Sequence, residues 1–429
     1  MLKKLLTLLF LVLLFSACRE ASNFLHTTVG TKTHDYSASN LALKKCKIDD
    51  AMKIVQNNKN QLLKNLELGL GNYFKHHYIE ANNYFDMAIN AYRKEENKAL
   101  FDISTFLKKE YYLEGYDKVL LHNYKAISYL LMGDAQAARV EARNSNILQQ
   151  EEQKNLQKFK KENSKENLNA HLFSRYKKLF QNVNAKHNPY QNPFAYYISA
   201  LAYAEDDDYE NALIDIRHAL KFLPNSKILK QKLQYYEAKE NKKTIELFFD
   251  VGQAPIKSQV ALKLNMGNGE KRMAYLPSFH LEISNVEHIS ILNSKGKEVA
   301  KTSLLADINA IKINEFKEKL PSILYLVSQQ VAISLGSSEL SGDSKIISGL
   351  FNSAATIYGQ NATGTWSFLP QKILVASFTP LISETYTMVV VSKVGESLAK
   401  KSLIWNENGK TKNIYKHYNI RGDNTICKV

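Results

Sequence analysis

The sequence lacks the motifs by which most enzymes and metalloproteins are identified. Its 11 histidines form no His-Glu-x-x-His motif and no other spacing typical of metal ligands. Two Ser-x-x-Lys matches, at Ser174 and Ser397, have no Lys-Thr-Gly partner. Gly69 and Gly71 are followed by Phe74, where a nucleotide-binding loop requires a third glycine. These absences predict a non-enzymatic protein that uses neither a metal nor a cofactor.

The apolar run near the N-terminus is short. Residues 5–15 follow Lys3 and Lys4, and they are too few to cross a bilayer comfortably. The run ends in Phe-Ser-Ala-Cys, a type of sequence that a lipoprotein signal peptidase accepts. We therefore predict a signal peptide over residues 1–17 and lipidation of Cys18 by fatty-acyl chains such as palmitate. A plain secretory leader with an incidental cysteine is the alternative.

The residue after Cys18 and the charge of the chain bear on its location. Arg19 stands where an Asp would retain a lipoprotein in the inner membrane of enteric bacteria, so we expect an outer-membrane anchor facing the periplasm. The net charge is +15. An exported protein meets anionic lipid and peptidoglycan rather than nucleic acid. The basic residues near the C-terminus are predicted to be a solvated surface: Lys400, Lys401, Lys410, Lys412, Lys416 and Arg421.

Only three cysteines are present, which excludes a disulfide-rich fold. If Cys18 is lipidated, Cys46 and Cys427 remain in an oxidising compartment. A disulfide between them would close a very long loop, and the simple entropy model assigns it about 4 kcal/mol or more. Two unbonded thiols are the alternative, because the sequence does not give their separation.

Residues 190–225 carry the pattern of two antiparallel helices. Aromatic and small residues recur at helical spacings, with a turn at residues 206–208 and a proline after the second helix: Tyr196, Ala200, Tyr203, Tyr209, Ala212, Ala219 and Pro224. This spacing is typical of the tetratricopeptide (TPR) repeat, where small residues let the two helices cross closely. One repeat cannot bury its own apolar face. Weaker copies are predicted at residues 66–92, with Gly69 at the small position, and at residues 122–146.

The three repeat-like units are unevenly spaced. Aligned on Ala81, Ala138 and Ala212, they lie 57 and 74 residues apart, whereas a regular array would give about 34. Extra helices are therefore predicted near residues 99–107 and 145–180, the second as a long exposed helix or a mobile arm. We predict an irregular TPR-like α-solenoid over residues 49–243, preceded by a polar tether over residues 18–48.

After Lys243 the pattern changes to the two-residue period of β-strands. Ile245, Leu247 and Phe249 alternate with other residues, and a hairpin with a strand at residues 260–264 is predicted. A helix over residues 310–335 should break or restart at Pro321. Further strands are predicted at residues 274–283, 289–292, 298–302, 372–378, 385–391 and 401–405. Residues 244–429 thus form a mixed α/β domain with an antiparallel-rich sheet, and the whole chain is α+β.

Four segments resemble a family of proteobacterial lipoproteins with a TPR-like N-terminal half. They are Ala-Arg-Val-Glu-Ala-Arg at residues 138–143, residues 248–257, Leu-Pro at residues 276–277, and Thr-Trp-Ser-Phe-Leu-Pro at residues 365–370. The family has no established activity to carry over. Its relatives occur near activators of cell-wall synthases, and this implies a link to envelope assembly. Within the C-terminal motif, Pro255, Trp366 and Pro370 are singled out, and Trp366 is interpreted as a core anchor rather than a binding platform.

Six residues are candidates for partner binding. Arg139 and Arg143 are four residues apart on one helix face and could grip a carboxylate; ion pairing within the solenoid, to Glu110 or Asp134, is the alternative. The others are placed in the concave groove by the repeat alignment: Asn123, Ile127, Tyr197 and Glu205. The basic residues with which TPR grooves clamp a C-terminal carboxylate are missing. The groove would then bind its ligand differently or be filled by the protein's own inserts.

These patterns favour a lipid-anchored envelope scaffold that binds a periplasmic or outer-membrane protein. Peptidoglycan and anionic lipid are further candidate contacts. A glycan-binding protein or enzyme with its site in the C-terminal domain is the second hypothesis. A structural subunit of an envelope assembly is the third.

Overall fold

The structure is a computed structural model, and it describes residues 36–98, 111, 113–162, 176–177, 179–181, 188, 190–240, 242–265, 271–334, 364–406, 411–422 and 425–427. The chain is α+β: within the described residues, an N-terminal region of packed helix pairs is followed by β-sheets and one further helix. The predicted signal peptide, Cys18 and the first part of the tether lie outside the described residues. So do residues 99–107 and much of the predicted 145–180 insert.

Nine described helices make up the N-terminal region. They are α1 (Tyr36–Lys44), α2 (Ile48–Val55), α3 (Gln61–Phe74), α4 (Tyr78–Lys98), α5 (Gly115–Met132), α6 (Ala135–Glu162), α7 (Pro193–Glu205), α8 (Tyr209–Phe222) and α9 (Lys227–Glu237). Helix α1 lies in the segment predicted as a tether, which is therefore not extended throughout. Helices α3 and α4, α5 and α6, and α7 and α8 pack as successive pairs.

Small residues allow the paired helices to approach closely. A Cβ atom added to Gly69 on α3 would lie 2.5 Å from the ring of Phe85 on α4, so any side chain there would clash. Between α5 and α6, Gly133 adopts a left-handed conformation with φ of 83° and ends the helix. Asn60, Asn192 and Asp208 cap α3, α7 and α8 by accepting backbone N–H groups. The sequence thus contains the start and stop signals of these pairs.

The strands that the structure describes form two larger sheets and one hairpin. They are β1 (Ile245–Val251), β2 (Ile256–Asn265), β3 (Lys271–His280), β4 (Val286–Asn293), β5 (Glu298–Lys301), β6 (Ser303–Asp307), β7 (Lys372–Phe378), β8 (Tyr386–Ser392), β9 (Ser397–Leu403), β10 (Ile414–Arg421) and β11 (Thr425–Ile426). The central sheet has the order β11-β10-β1-β7-β6, and the outer sheet has the order β5-β4-β8-β9. Helix α10 (Ile308–Ser334) follows β6.

The predicted hairpin between β1 and the next strand is wrong. Strand β1 pairs with β10 in parallel and with β7 antiparallel, whereas β2 pairs with β3. The local alternation does mark a strand, but the partners of β1 lie more than 100 residues away in sequence. Pro321 also does not interrupt α10, which runs through it; helices tolerate a proline at a cost of about 3 kcal/mol when packing compensates.

Strand β1 is buried on both faces because the central sheet lies between two other layers. Ile245, Leu247, Phe249 and Val251 face the outer sheet and share a core with Ile289, Met388 and Val390. Phe248 belongs instead to the core formed with the helices. The residues between these apolar positions, Glu246 and Asp250, are carboxylates with no exposed surface. A helical layer, a central sheet and an outer sheet therefore form three layers.

Candidate functional site

The four residues predicted to line an open groove are buried. Asn123, Ile127 and Tyr197 have no exposed surface, and Glu205 is 7% exposed. Ile127 is part of the apolar core, and Asn123 accepts a 2.8 Å hydrogen bond from Ser145 on α6. The prediction that they are available to a partner is wrong: Tyr197 and Glu205 bond to the central sheet, and Asn123 bonds to a neighbouring helix. The sheet, rather than an insert in the helical region, covers Tyr197 and Glu205.

Glu246 on β1 is the centre of the first polar cluster between the helices and the sheet. Its carboxylate accepts hydrogen bonds of 2.6 Å from Tyr197 and 2.8 Å from Ser377. Thr244 donates a third bond of 2.6 Å, and the ammonium group of Lys232 on α9 pairs with the same carboxylate. Because a buried charge is costly unless it is paired and hydrogen-bonded, this set of partners stabilises the contact between α7, α9 and the sheet.

Glu205, at the end of α7, forms a second cluster with the start of β10. Its two carboxylate oxygens accept bonds from the backbone N–H groups of Lys412 and Asn413, at 2.7 and 3.0 Å. The side chain of Asn413 donates at 2.8 Å and the Tyr415 hydroxyl at 2.6 Å. These four donors satisfy the hydrogen-bonding capacity of the Glu205 carboxylate without any external ligand.

Asp250 forms the third cluster, which joins two helices to β10. The Tyr124 hydroxyl donates a 2.8 Å hydrogen bond to Asp250, and His417 Nε2 lies 3.0 Å from the same carboxylate. The other ring nitrogen of His417 is 2.5 Å from the Tyr73 hydroxyl. An Asp-His-Tyr chain of this kind could in principle relay a proton. The adjoining cavity measures about 70 Å³, room for a few waters, so the cluster fits a structural role.

The C-terminal motif also lies in the contact between helices and sheets. Pro255, Trp366 and Pro370 are all buried. The Trp366 ring lies 6.4 Å from that of Phe85 and 6.5 Å from that of Tyr124, as expected of a core anchor. Beside it, Glu67 on α3 accepts two hydrogen bonds from Ser367. Burial raises the pKa of Glu67 to about 8, although the bonds from Ser367 oppose the shift.

Arg421 does not belong to a solvated basic surface. It is 2% exposed, and its guanidinium donates to the backbone carbonyls of Phe368 at 2.6 Å and Leu369 at 3.2 Å. The guanidinium also lies 5.4 Å from the centre of the Phe74 ring. The residue therefore joins β10 to the C-terminal motif and to α3. The prediction for the basic cluster is corrected at this position.

The two candidate arginines on α6 have different surroundings. Arg139 pairs with Asp206 at 2.6 Å and with Asp208 at 3.5 Å, in the turn between α7 and α8. This is ion pairing within the helical region, although not with the acids named from the sequence. Arg143 is exposed and makes no ion pair with a residue that the structure describes. Only Arg143 thus presents its charge to an external group.

Cys46 and Cys427 are joined by a disulfide across 381 residues of chain. Cys46 follows α1, and Cys427 follows β11 at the edge of the central sheet. The bridge fixes the first described helices to the last strand. Disulfides persist in oxidising compartments, so the bond agrees with an extracytoplasmic location without specifying which one.

The described residues show neither a cluster of metal ligands nor a membrane-spanning helix. No three His, Cys, Asp or Glu side chains converge there as a metal site would require. None of the described helices combines the length and hydropathy of a membrane span.

The buried acids Glu246 and Asp250, at the contact between the helices and the sheet, are not among the residues that the sequence predicts as functional. No local signal marks them as buried, because in a strand with a period of two residues they fall on the face expected to meet solvent.

The comparisons with known proteins add no relative from which a function could be transferred. Protein-family models, curated proteins and solved structures all give no match to this chain.

Proposed function

We propose that the chain is a non-enzymatic, lipid-anchored scaffold of the cell envelope, whose helix pairs are TPR-like repeats that bind a protein partner on their outer face. The observation that carries the proposal is a set of exposed aliphatic side chains on the second helix of each pair. They are Ile79 and Met87 on α4, Val140 and Ile147 on α6, and Ile214 on α8, with exposed fractions between 46% and 67%. Single exposed aliphatics are common, but a set that recurs in three successive pairs favours an interface.

Helix α6 provides the best-defined part of this outer face. Val140 lies two residues from each of the buried Ala138 and Ala142, a rotation of about 200° that places it opposite the buried stripe. Ile147 follows seven residues later, about 10 Å along the same face. Arg143 stands between them and is exposed. Two aliphatic contacts around one cation would suit a partner helix or loop that carries an acid among apolar residues.

The contact between the helices and the central sheet supports the choice of the outer face. The central sheet contacts α5 and α7, each the first helix of its pair, through the clusters at Glu246, Glu205 and Asp250. A partner at that contact would have to displace the sheet and leave these buried carboxylates unpaired. Such an exchange would cost several kcal/mol at each cluster. Binding to the exposed second helices requires no rearrangement.

We infer the membrane anchor from the predicted signal peptide and from Cys18. The Cys46–Cys427 bond is consistent with export. We place the protein at the outer membrane, facing the periplasm, with a role in envelope or cell-wall assembly. Peptidoglycan and anionic lipid are secondary contacts of the basic chain, and nucleic acid is not an expected partner.

Site-specific photocrosslinking in cells tests the outer face. A photoreactive residue at Val140 or Ile147 should yield one dominant protein adduct. The same residue at Val394, which is 75% exposed in the turn after β8, is the matched control and should not yield it. The variant Val140→Asp with Ile147→Asp should fold normally and lose the adduct formed from position 79. Equal adducts from Val394, or none from positions 79, 140, 147 and 214, would contradict the proposal.

A further inference from the structure

A second candidate site lies where the helical region meets the start of the central sheet. A cavity of about 350 Å³ opens between α8, α9 and the segment that leads into β10. This volume is at the small end of the range for small-molecule sites, and it would hold one or two sugar rings. The lining groups that matter are three tyrosines and three lysines: Tyr209, Tyr235, Tyr236, Lys242, Lys243 and Lys412. We call this cavity the Lys/Tyr pocket.

The tyrosines form a rigid aromatic wall. The Tyr236 ring lies 5.9 Å from that of Tyr209 and 5.8 Å from that of Tyr235. Tyr236 is 1% exposed, and its hydroxyl has no hydrogen-bond partner among the described residues. Behind the wall, the ammonium of Lys232 lies 5.2 Å from the centre of the Tyr235 ring. Aromatic faces held in this way can pack against the C–H face of a sugar ring.

The lysines give the lining a positive charge, and no carboxylate lines the described part of the pocket. Lys242 pairs with Glu240 at 3.2 Å, and Lys412 pairs with Asp207, but these acids are 40% and 70% exposed. The Lys242–Glu240 pair is exposed and contributes little stability, so an anionic ligand can replace Glu240 at small cost. The Lys412 ammonium is buried, so the anionic group must pair with it when it replaces Asp207. The lysine side chains would then bind the negative group of a ligand while the rings bind its apolar face.

The wall opposite the tyrosines is already fixed. The Thr411 hydroxyl donates a 2.6 Å hydrogen bond to the carbonyl of Asn413. Glu205 accepts from the backbone N–H groups of Lys412 and Asn413. The backbone that presents Lys412 is therefore held before any ligand arrives. A pre-organised site avoids much of the entropy cost of binding.

We propose that the Lys/Tyr pocket binds a saccharide that carries a carboxylate or phosphate group. Lys242 and Lys412 hold the anionic group, and the rings of Tyr209 and Tyr235 pack against the sugar. This ligand site is separate from the outer face of the second helices and adds a small-molecule function to the protein-binding one. The anion and the sugar ring are both required, because either alone would use only half of the lining.

Calorimetric titration of the full chain in detergent tests the pocket with defined probes. Glucuronate and glucose 6-phosphate should bind in the millimolar range, and glucose should bind at least tenfold more weakly. Tighter binding of glucuronate would assign a carboxylated sugar, and tighter binding of glucose 6-phosphate a phosphorylated one. Acetate and inorganic phosphate, which lack the ring, should also bind at least tenfold more weakly than the matching sugar.

Variants separate the pocket from general basicity. Lys242→Gln with Lys412→Gln should weaken binding of the anionic sugar at least tenfold while thermal unfolding remains close to that of the parent. Lys295→Gln with Lys297→Gln, in the exposed turn after β4, removes the same charge elsewhere and should leave binding unchanged. The proposal is overturned if glucose binds as tightly as glucuronate and glucose 6-phosphate, if none of them binds, or if both double variants bind alike.

Discussion

The hydroxyl of Tyr197, on helix α7, donates a 2.6 Å hydrogen bond to the carboxylate of Glu246 on the central strand β1. The bond crosses from the helical region to the sheet, and both residues have no exposed surface. A residue predicted to face a partner thus faces the protein's own sheet. The bond is one of several that hold the two regions in one arrangement.

Removing the Tyr197 hydroxyl should destabilise the whole protein. Tyr197→Phe leaves one donor fewer at a buried carboxylate, so we expect a loss of about 1.5–3 kcal/mol in the free energy of unfolding. Glu246→Ala also leaves the buried ammonium of Lys232 without its carboxylate partner, so it should lower the free energy of unfolding by about 3–5 kcal/mol. Urea unfolding measures both. Tyr203→Phe is the matched control on the same helix, since the Tyr203 hydroxyl bonds to no described residue; a loss equal to that of Tyr197→Phe would contradict the assignment.

Glu67 should make stability fall as the pH rises. Its pKa is about 8 in the folded protein and about 4.5 in a free chain. Below pH 4.5 both states hold the proton. Above it the unfolded chain releases the proton while the folded protein keeps it, so stability declines until the folded pKa is passed. Glu67→Gln cannot ionise. The free energy of unfolding of this variant should therefore rise by a few kcal/mol relative to that of the parent between about pH 5 and pH 8.

Unfolding curves at several pH values test this prediction for Glu67. The exposed Glu80→Gln, on the neighbouring helix, is the control and should follow the pH dependence of the parent. A difference between Glu67→Gln and the parent that does not change with pH would show that Glu67 is ionised in the folded protein.

The disulfide should stabilise the protein by closing a very long loop. Cys46→Ser or Cys427→Ser removes a constraint across 381 residues, and the expected loss is about 2–5 kcal/mol. Thermal unfolding with and without a reductant measures it. The reductant should lower the midpoint of the parent and leave that of either serine variant unchanged. Equal sensitivity of the parent and the variants would mean that the bond is absent.

The Arg139–Asp206 ion pair should contribute little to the stability of the folded protein. Their side chains are 35% and 33% exposed, and such pairs contribute about 0.2–1 kcal/mol. Arg139→Ala should therefore cost less than 1 kcal/mol, and a double-mutant cycle with Asp206→Ala should give a coupling in the same range. Arg143→Ala should leave stability unchanged and reduce crosslinking from position 140. A stability loss at Arg143 that exceeds the loss at Arg139 would reverse these roles.

Local signals in the sequence predicted the elements but not their partners. Gly69, Ala81, Ala138 and Ala212 marked the helix crossings, and strand β7 was predicted with the bounds found in the structure. Strands β6, β10 and β11 were missed. Polar residues in β10, such as Lys416 and Asn419, obscure its apolar alternation.

The contact between the helices and the sheet could not be predicted from local patterns. Glu246 and Asp250 look like the solvent side of an alternating strand, and only the covering helices make them buried. Glu205 and Tyr415 are 210 residues apart, and no periodicity connects residues at such a separation. The pairing of Cys46 with Cys427 was proposed from counting, but their geometry came only with the fold.

The Cys46–Cys427 bond makes most of the described chain a covalent ring. A single protease cut at any loop between these residues would leave the two fragments attached, and they would migrate together until a reductant is added. A pull on the N-terminal segment would likewise pass through the bridge to the edge of the central sheet before it could peel apart the helix pairs. The cross-link thus directs mechanical load around the helical region rather than along it.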